Sequence, residues 1–470
     1  MRTEVRAPSK NHMNKLFPIF VSVGLIAGGW MGYAEYYASL TNETGRVPVV
    51  HLPFDSNVID LQIGNNERAV QRDPYSALGW SMMCSAYMDR SRESDDLATA
   101  VKAEAAARRS LEIRKLGNVG ALNKLVQTLL QQHRFKDALA ECQKAFERQI
   151  YSDDTVVLHV ECLIELGRYD EAGVLVTKNP RAFSDGSSKT VVARLLDIGG
   201  KPDEALKVYR LVVREVDENG GMPSNAVAWF HTRLAMQLAK LGKHDEARTE
   251  FNVALRMYPR DYKSMAGLAK LASQDGQWQE AIDWGNRSDQ VAQMADVRAL
   301  VGDAYAMLGN ATKAEEQYTR VAELVGRPSG MNDGLHEVTP AAGTHGHRLD
   351  RQYAIFCADH GKDAIGAYAA AVRDFEARKD VYSYDTLAWV CFKNGSTDEA
   401  KKAIDLALIH GTRDPMLWYH AGEIYSAIGE QDIAMNYLQD ALEMDPHFDG
   451  IAAPKTTQLL TDLKAKRSLK

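Results

Sequence analysis

Cysteine is scarce in this chain. Five thiols in 470 residues, at positions 84, 142, 162, 357 and 391 and with no C-x-x-C pair, exclude a disulfide framework and a zinc ribbon. Positive charge is not in excess either: Lys+Arg 56 against Asp+Glu 63 leaves −7, which argues against a dedicated nucleic-acid binder. Catalytic signatures are missing. There is no Gly-rich phosphate loop and no Gly-x-Ser-x-Gly, and His336-Glu337 opens like H-E-x-x-H only to meet Pro340 where the second imidazole should stand. What the chain does have is apolar material, 45% of residues against 25% charged, enough to bury a core.

Long apolar runs are rare, with one exception. Leu16 to Tyr33 carries no ionisable group before its terminal tyrosine, and eighteen helical residues span about 27 Å, close to the roughly 30 Å of a hydrocarbon core. Residues 1–15 carry net +3 and residues 34–50 net −1, so the positive-inside rule predicts a short cytoplasmic arm and a body on the far side, periplasmic or extracellular. Trp30, Tyr33, Tyr36 and Tyr37 suit an interfacial belt. The competing expectation is a signal peptide cleaved near Ala34, which secretes the same body.

The rest repeats. Alanines at 138, 172, 205, 247, 281, 314, 400 and 434 recur at spacings of 34, 33, 42, 34, 33, 86 and 34, with Ala364 inside the long gap. Five residues before most of them stands a glycine, among them Gly167, Gly200, Gly242 and Gly309, after about three turns of helical apolar spacing. The unit is helix, tight turn, helix. Residues 220–227 add eight to one spacing, and the Gly/Pro-rich stretch 326–346 breaks the register and divides the array.

This pattern resembles the tetratricopeptide repeat, best in 415–448, where Trp418, Gly422, Tyr425, Gly429, Ala434, Ala441 and Pro446 fall on signature positions. The resemblance implies an all-α, right-handed superhelical solenoid of nine to ten helix–turn–helix units behind an N-terminal transmembrane helix. The expected organisation is an arm (1–15), an anchor or signal peptide (16–33), a linker and N-terminal cap (34–73), repeats (74–328), a Gly/Pro/His loop (329–346), further repeats (347–448) and a capping helix (449–470). The unit at 74–118 fits with about seven extra residues in its turn, around Arg90–Asp96.

The function this implies is binding. First helices of such repeats line a concave face, and position by position that face includes Trp229, Tyr382, Asp385, Trp389, Phe392, Tyr419 and Glu423. Aromatics beside carboxylates suit an apolar segment bearing Lys or Arg, while Trp389 and Phe392 equally suit packing between repeats. No unit carries the opening Lys and Asn of the clamp with which some relatives hold chaperone tails, although Lys263 and Lys270 could meet an acidic partner. The expectation is therefore a non-enzymatic, membrane-tethered scaffold for protein or peptide partners, without cofactor and without nucleic acid. The alternative is an assembly or accessory factor for an envelope enzyme complex, with His336, His345 and His347 collecting a metal or completing a partner's site. The cysteines are expected as buried thiols, with Cys142 and Cys162 as the one pair within reach of a bridge.

Overall fold

A computed structural model describes residues 51–326 and 349–468. Twenty-two α-helices account for nearly all of it. The first, α1 (Ser56–Arg72), precedes ten pairs: α2 (Ala77–Ser94) with α3 (Leu97–Ile113), α4 (Val119–Gln131) with α5 (Phe135–Glu147), α6 (Asp153–Glu165) with α7 (Tyr169–Lys178), α8 (Gly186–Ile198) with α9 (Pro202–Glu218), and α10 (Ser224–Lys240) with α11 (His244–Met257). Then come α12 (Tyr262–Gln274) with α13 (Trp278–Asp289), α14 (Ala295–Met307) with α15 (Ala311–Gly326), α16 (Asp350–His360) with α17 (Ala364–Arg378), α18 (Val381–Lys393) with α19 (Thr397–Leu408), and α20 (Pro415–Ala427) with α21 (Gln431–Met444). The last helix, α22 (Ala452–Ser468), covers the final pair.

In most pairs the alanine at the repeated position is buried, as at Ala138, Ala205, Ala281 and Ala434, because only a methyl group fits where the two helices meet; in α17 the expected Ala364 is exposed and Ala367, one turn on, takes that place. Across units the even-numbered helices meet, α2 with α4, α4 with α6, α10 with α12 and α18 with α20 among them. The even helices therefore line the inner face of the solenoid, and the odd ones form its outside.

Three irregularities of the sequence resolve. The 42-residue spacing comes from longer helices: α9 and α10 are each 17 residues long where α4, α6, α8 and α12 have 13, so the eight extra residues add one turn to both helices. The surplus at Arg90–Asp96 is likewise helical, extending α2 to 18 residues before Asp95 turns the chain in the left-handed region. The third concerns 326–346, which does not divide the stack. Helices on either side pack directly, with His360 Nε2 2.7 Å from Asp303, Lys362 Nζ 2.9 Å from Glu315, and Tyr318 against Phe356.

The membrane placement is also corrected. The segment 16–33 lies outside the described residues, and among the described residues no helix is long and apolar enough to cross a membrane. The longest, α2, carries Asp89, Arg90, Arg92 and Glu93 in its last turns, charges that a hydrocarbon core excludes. A single-pass location with an extracytoplasmic body is not supported.

The solenoid coils tightly enough for distant units to touch. The helix–turn–helix corner at Gly167 meets the backbone of Lys379, that at Gly200 meets Gly411, that at Gly242 meets Met444, and Ser273 meets Gly450. Hydrogen bonds follow the same seam: Val381 N–H donates to Tyr169 Oη (3.0 Å), Thr412 Oγ1 to the Ile198 carbonyl (2.6 Å) and Gln274 Nε2 to the Phe448 carbonyl (2.6 Å). Ahead of α1, an extended segment pairs with the lengthened corner between α9 and α10. Leu52 N–H donates to the Met222 carbonyl (3.1 Å), Ser224 N–H to the Leu52 carbonyl (2.8 Å), and the Phe54 ring stands edge-on to Tyr258.

Candidate inner-face binding site

Two stretches of the inner face differ in character. Along α16, α18 and α20 the inward side chains close on one another. Trp389 is 2% exposed: the His420 ring stacks on it at 4.1 Å, Tyr419 and Phe392 flank it, Lys393 lies over its face, and its indole N–H donates to Asp359 (2.7 Å). His420 Nδ1 sits 2.9 Å from Asp385, itself buried. Burial opposes charge on that imidazole, but the Asp385 carboxylate, its hydrogen bond and Asp359 outweigh it and hold the pKa above the ordinary value. Tyr419 is 6% exposed and stands one helical turn from Glu423, whose carboxyl is raised by burial. Tyr382 points to the seam, donating to Asp414 (3.2 Å). Thus the structure gathers Asp385, Trp389, Phe392, Tyr419 and Glu423 into one cluster, but as packing between repeats rather than as side chains presented to a ligand.

Along α10 and α12 the inner face is open. Trp229, Arg233, Met236 and Lys240 form one stripe at helical spacing. Lys240 is tied to Asp197 (2.8 Å) and reaches Asp414 (3.7 Å), whereas Met236 is 48% exposed and Trp229 half-buried with Arg233 over its ring at 5.3 Å. On α12, Lys263 and Lys270 reach solvent. The Lys263 pKa is lowered, first by burial and then by the charge of Arg233, with Asp261 opposing and Arg92 adding to the shift. Burial also raises the carboxyls of Glu161 on α6 and Asp296 on α14. Of the expected groove residues, Trp229 lies on this open stretch, and Tyr382 meets its end by sharing Asp414 with Lys240.

Sequence reading missed His231. On α10, it holds Asp217 of α9 (Nε2, 3.1 Å) and Glu250 of α11 (Nδ1, 2.6 Å). Burial opposes its charge, but two carboxylate hydrogen bonds prevail and its pKa rises to about 9. The partners lie 14 and 19 positions away, a spacing that belongs to no motif. His336, His345 and His347 lie outside the described residues, and among the described residues no group of His, Cys, Asp and Glu could hold a metal ion. All five cysteines are free and buried, and the neighbouring Cys142 together with burial pushes the Cys162 thiol well up.

Tetratricopeptide repeat family models match residues 232–295 and 417–448. No curated protein sequence matches the chain. Among solved structures, the APC/C hetero-tetramer Cut9–Hcn1 is similar at 13% identity over 87% of this chain and 93% of that one (TM-score 0.35). A tetratricopeptide repeat protein from Parabacteroides merdae is similar at 17% over 59% of this chain and 98% of its own (TM-score 0.33), and the human IFIT1 dimer with PPP-AAAA at 15% over 81% and 87% (TM-score 0.43). Together with the helix pairs, the family matches identify tetratricopeptide repeats in this chain.

Proposed function

We propose that the protein is a scaffold that binds other proteins through the inner face of its first coil, and that it acts by binding rather than catalysis. The observation that carries this is the contrast between the two inner stretches: α16, α18 and α20 seal theirs with Trp389, His420 and Tyr419, while α10 and α12 leave Met236, Lys263 and Lys270 open on a rigid framework. The two histidines with carboxylate partners on α10 and α20 serve packing. His231 is held between two carboxylates and His420 lies under Trp389, so neither imidazole is placed to meet a substrate.

Crosslinking in cells, followed by mass spectrometry of the captured complexes, tests the reading. Partner crosslinks should map to lysines of the inner face, Lys263 and Lys270, and Met236→Glu should reduce them while leaving the melting temperature unchanged. Crosslinks confined to the outer, odd-numbered helices would overturn it.

A further inference from the structure

The seam between the coils leaves a groove beside α7. It measures about 780 Å³, within the roughly 300–1,000 Å³ of ordinary ligand sites, and is lined by Tyr169, Gly173 and Val174 of α7, Leu195 and Ile198 of α8, and His410 of the next coil. Two contacts hold its floor: Val381 N–H donates to Tyr169 Oη (3.0 Å), and the His410 imidazole stands edge-on to the Tyr169 ring at 4.8 Å. Pro180 cannot continue α7, which is ten residues long where the other odd-numbered helices of the pairs have twelve to seventeen. Gly173 lies mid-way along this short helix, and a Cβ added there would meet nothing within 4 Å. A helix interior favours almost any other residue over glycine, so folding does not demand the gap. The groove also carries a charge at each end: Asp170 and Lys178 line it at the two ends of α7, about 12 Å apart along the axis. Charges around them are already matched, Arg168 with Glu171 at 2.6 Å, Arg413 with Asp203 at 3.7 Å and Arg181 with Asp153 at 3.5 Å. Among the described residues, Asp170 and Lys178 form no ion pair.

We infer that this groove receives an extended segment of a partner protein in which a Lys or Arg and an Asp or Glu bracket one apolar side chain. Four extended residues span about 13 Å, so a cation at one position and an anion four residues on reach Asp170 and Lys178 together. Side chains two apart share a face of an extended chain, so the residue between the two charges points down onto Gly173, Val174 and Ile198. A helix, about 10–12 Å across, would lie on top of the gap instead of entering it. Opposite charges at the two ends select a peptide, whose side chains supply both signs, over a phosphate backbone or a fatty acid, which supplies one. This surface is separate from the inner face and belongs to both coils, because His410 completes its wall beside the contact of Gly200 with Gly411. A segment seated there bridges one coil to the next.

Fluorescence anisotropy with the full chain provides the test, using a labelled peptide with blocked ends, Lys-Ser-Leu-Ser-Glu, and three controls: Lys-Ser-Leu-Ser-Lys, Glu-Ser-Leu-Ser-Glu and Lys-Ser-Ser-Ser-Glu. The first should bind tighter than any control. Gly173→Leu fills the gap without a clash and improves the helix, so it should weaken that peptide at least about tenfold without lowering the melting temperature. Asp170→Lys and Lys178→Glu should each weaken it about fivefold, the scale of one exposed ion pair, and the double exchange Asp170→Lys/Lys178→Glu should restore it, since the segment can enter in the opposite direction. Asp170→Lys should in addition prefer Glu-Ser-Leu-Ser-Glu. Equal binding of all four peptides, or unchanged binding to Gly173→Leu, would overturn the inference. Binding that survives Gly173→Leu but is lost in Met236→Glu would overturn it too, while leaving the inner-face reading in place.

Discussion

Replacing Gly167 by alanine would drive a methyl group into the Lys379 carbonyl, and the same change at Gly200 would strike Gly411. Both glycines have φ near +70°, as does Gly309, where an added Cβ meets nothing within 4 Å. All three substitutions carry the left-handed penalty of roughly 1–2 kcal/mol, but only the first two add a backbone collision. Urea unfolding midpoints should therefore fall modestly for Gly309→Ala and at least about twice as far for Gly167→Ala and Gly200→Ala. Equal effects at all three would mean that the coils separate freely. These glycines were legible in the sequence as helix terminators, because a turn is a local event. Their second duty was not, because Lys379 and Gly411 approach only after several units have rotated into place.

Between neighbouring helices, the α9–α10–α11 corner is held by a charged imidazole. The folded pKa of His231 is raised, so its contribution to stability is complete below the ordinary value of 6.5 and is lost as pH climbs through about 9. The loss is on the order of 3 kcal/mol. The melting temperature of the wild type should decline between neutral pH and about pH 9.5, and in His231→Gln that slope should flatten; an unchanged slope would remove His231 as its source. The helix pairs themselves were readable from the apolar period and the recurring alanine. The extra turns on α9 and α10 were not, since an eight-residue surplus looks the same whether it loops out or lengthens two helices; the pairing of Leu52 with Met222 and Ser224 is visible only in three dimensions. Likewise the stripe from Tyr382 to Glu423 was legible as inward-facing, but whether an inward aromatic packs or waits depends on its cross-unit neighbours, here His420 on Trp389.

At the scale of the molecule, the coils meet through a polar seam. Arg378 joins His133 (2.9 Å) and approaches Glu165, which Arg194 holds at 2.6 Å, and Arg351 bridges Asp374 (3.0 Å) and Asp380 (2.7 Å). Burial, then the Arg378 charge, lowers His133 to about 4, so the stability of its neutral form is present above 6.5 and lost as pH falls through about 4. Glu165 is opposed by burial, but Arg194 and Arg378 draw it to about 2, and its contribution goes as pH falls from 4.5 through about 2. Both act in the same direction. Small-angle scattering should show the radius of gyration rising reversibly between pH 7 and pH 4 with helicity retained, and His133→Gln should delay the expansion; constant dimensions over that range would dismiss the seam as a pH-sensitive joint. The seam also stays in step. From Gly200–Gly411 to Gly242–Met444 the sequence separation drops by nine, close to the eight residues that the lengthened α9 and α10 absorb.

That seam alters what the fold is mechanically. An open solenoid is a spring, in which each unit answers only to its neighbours and pulling the ends apart costs little until helices unstack. Where Gly167, Gly200 and Gly242 bind each coil to the next, extension must first break a row of spaced backbone contacts. The molecule then resists stretching as a tube does, and the width of its inner recess is set by the whole winding rather than by the helices that line it.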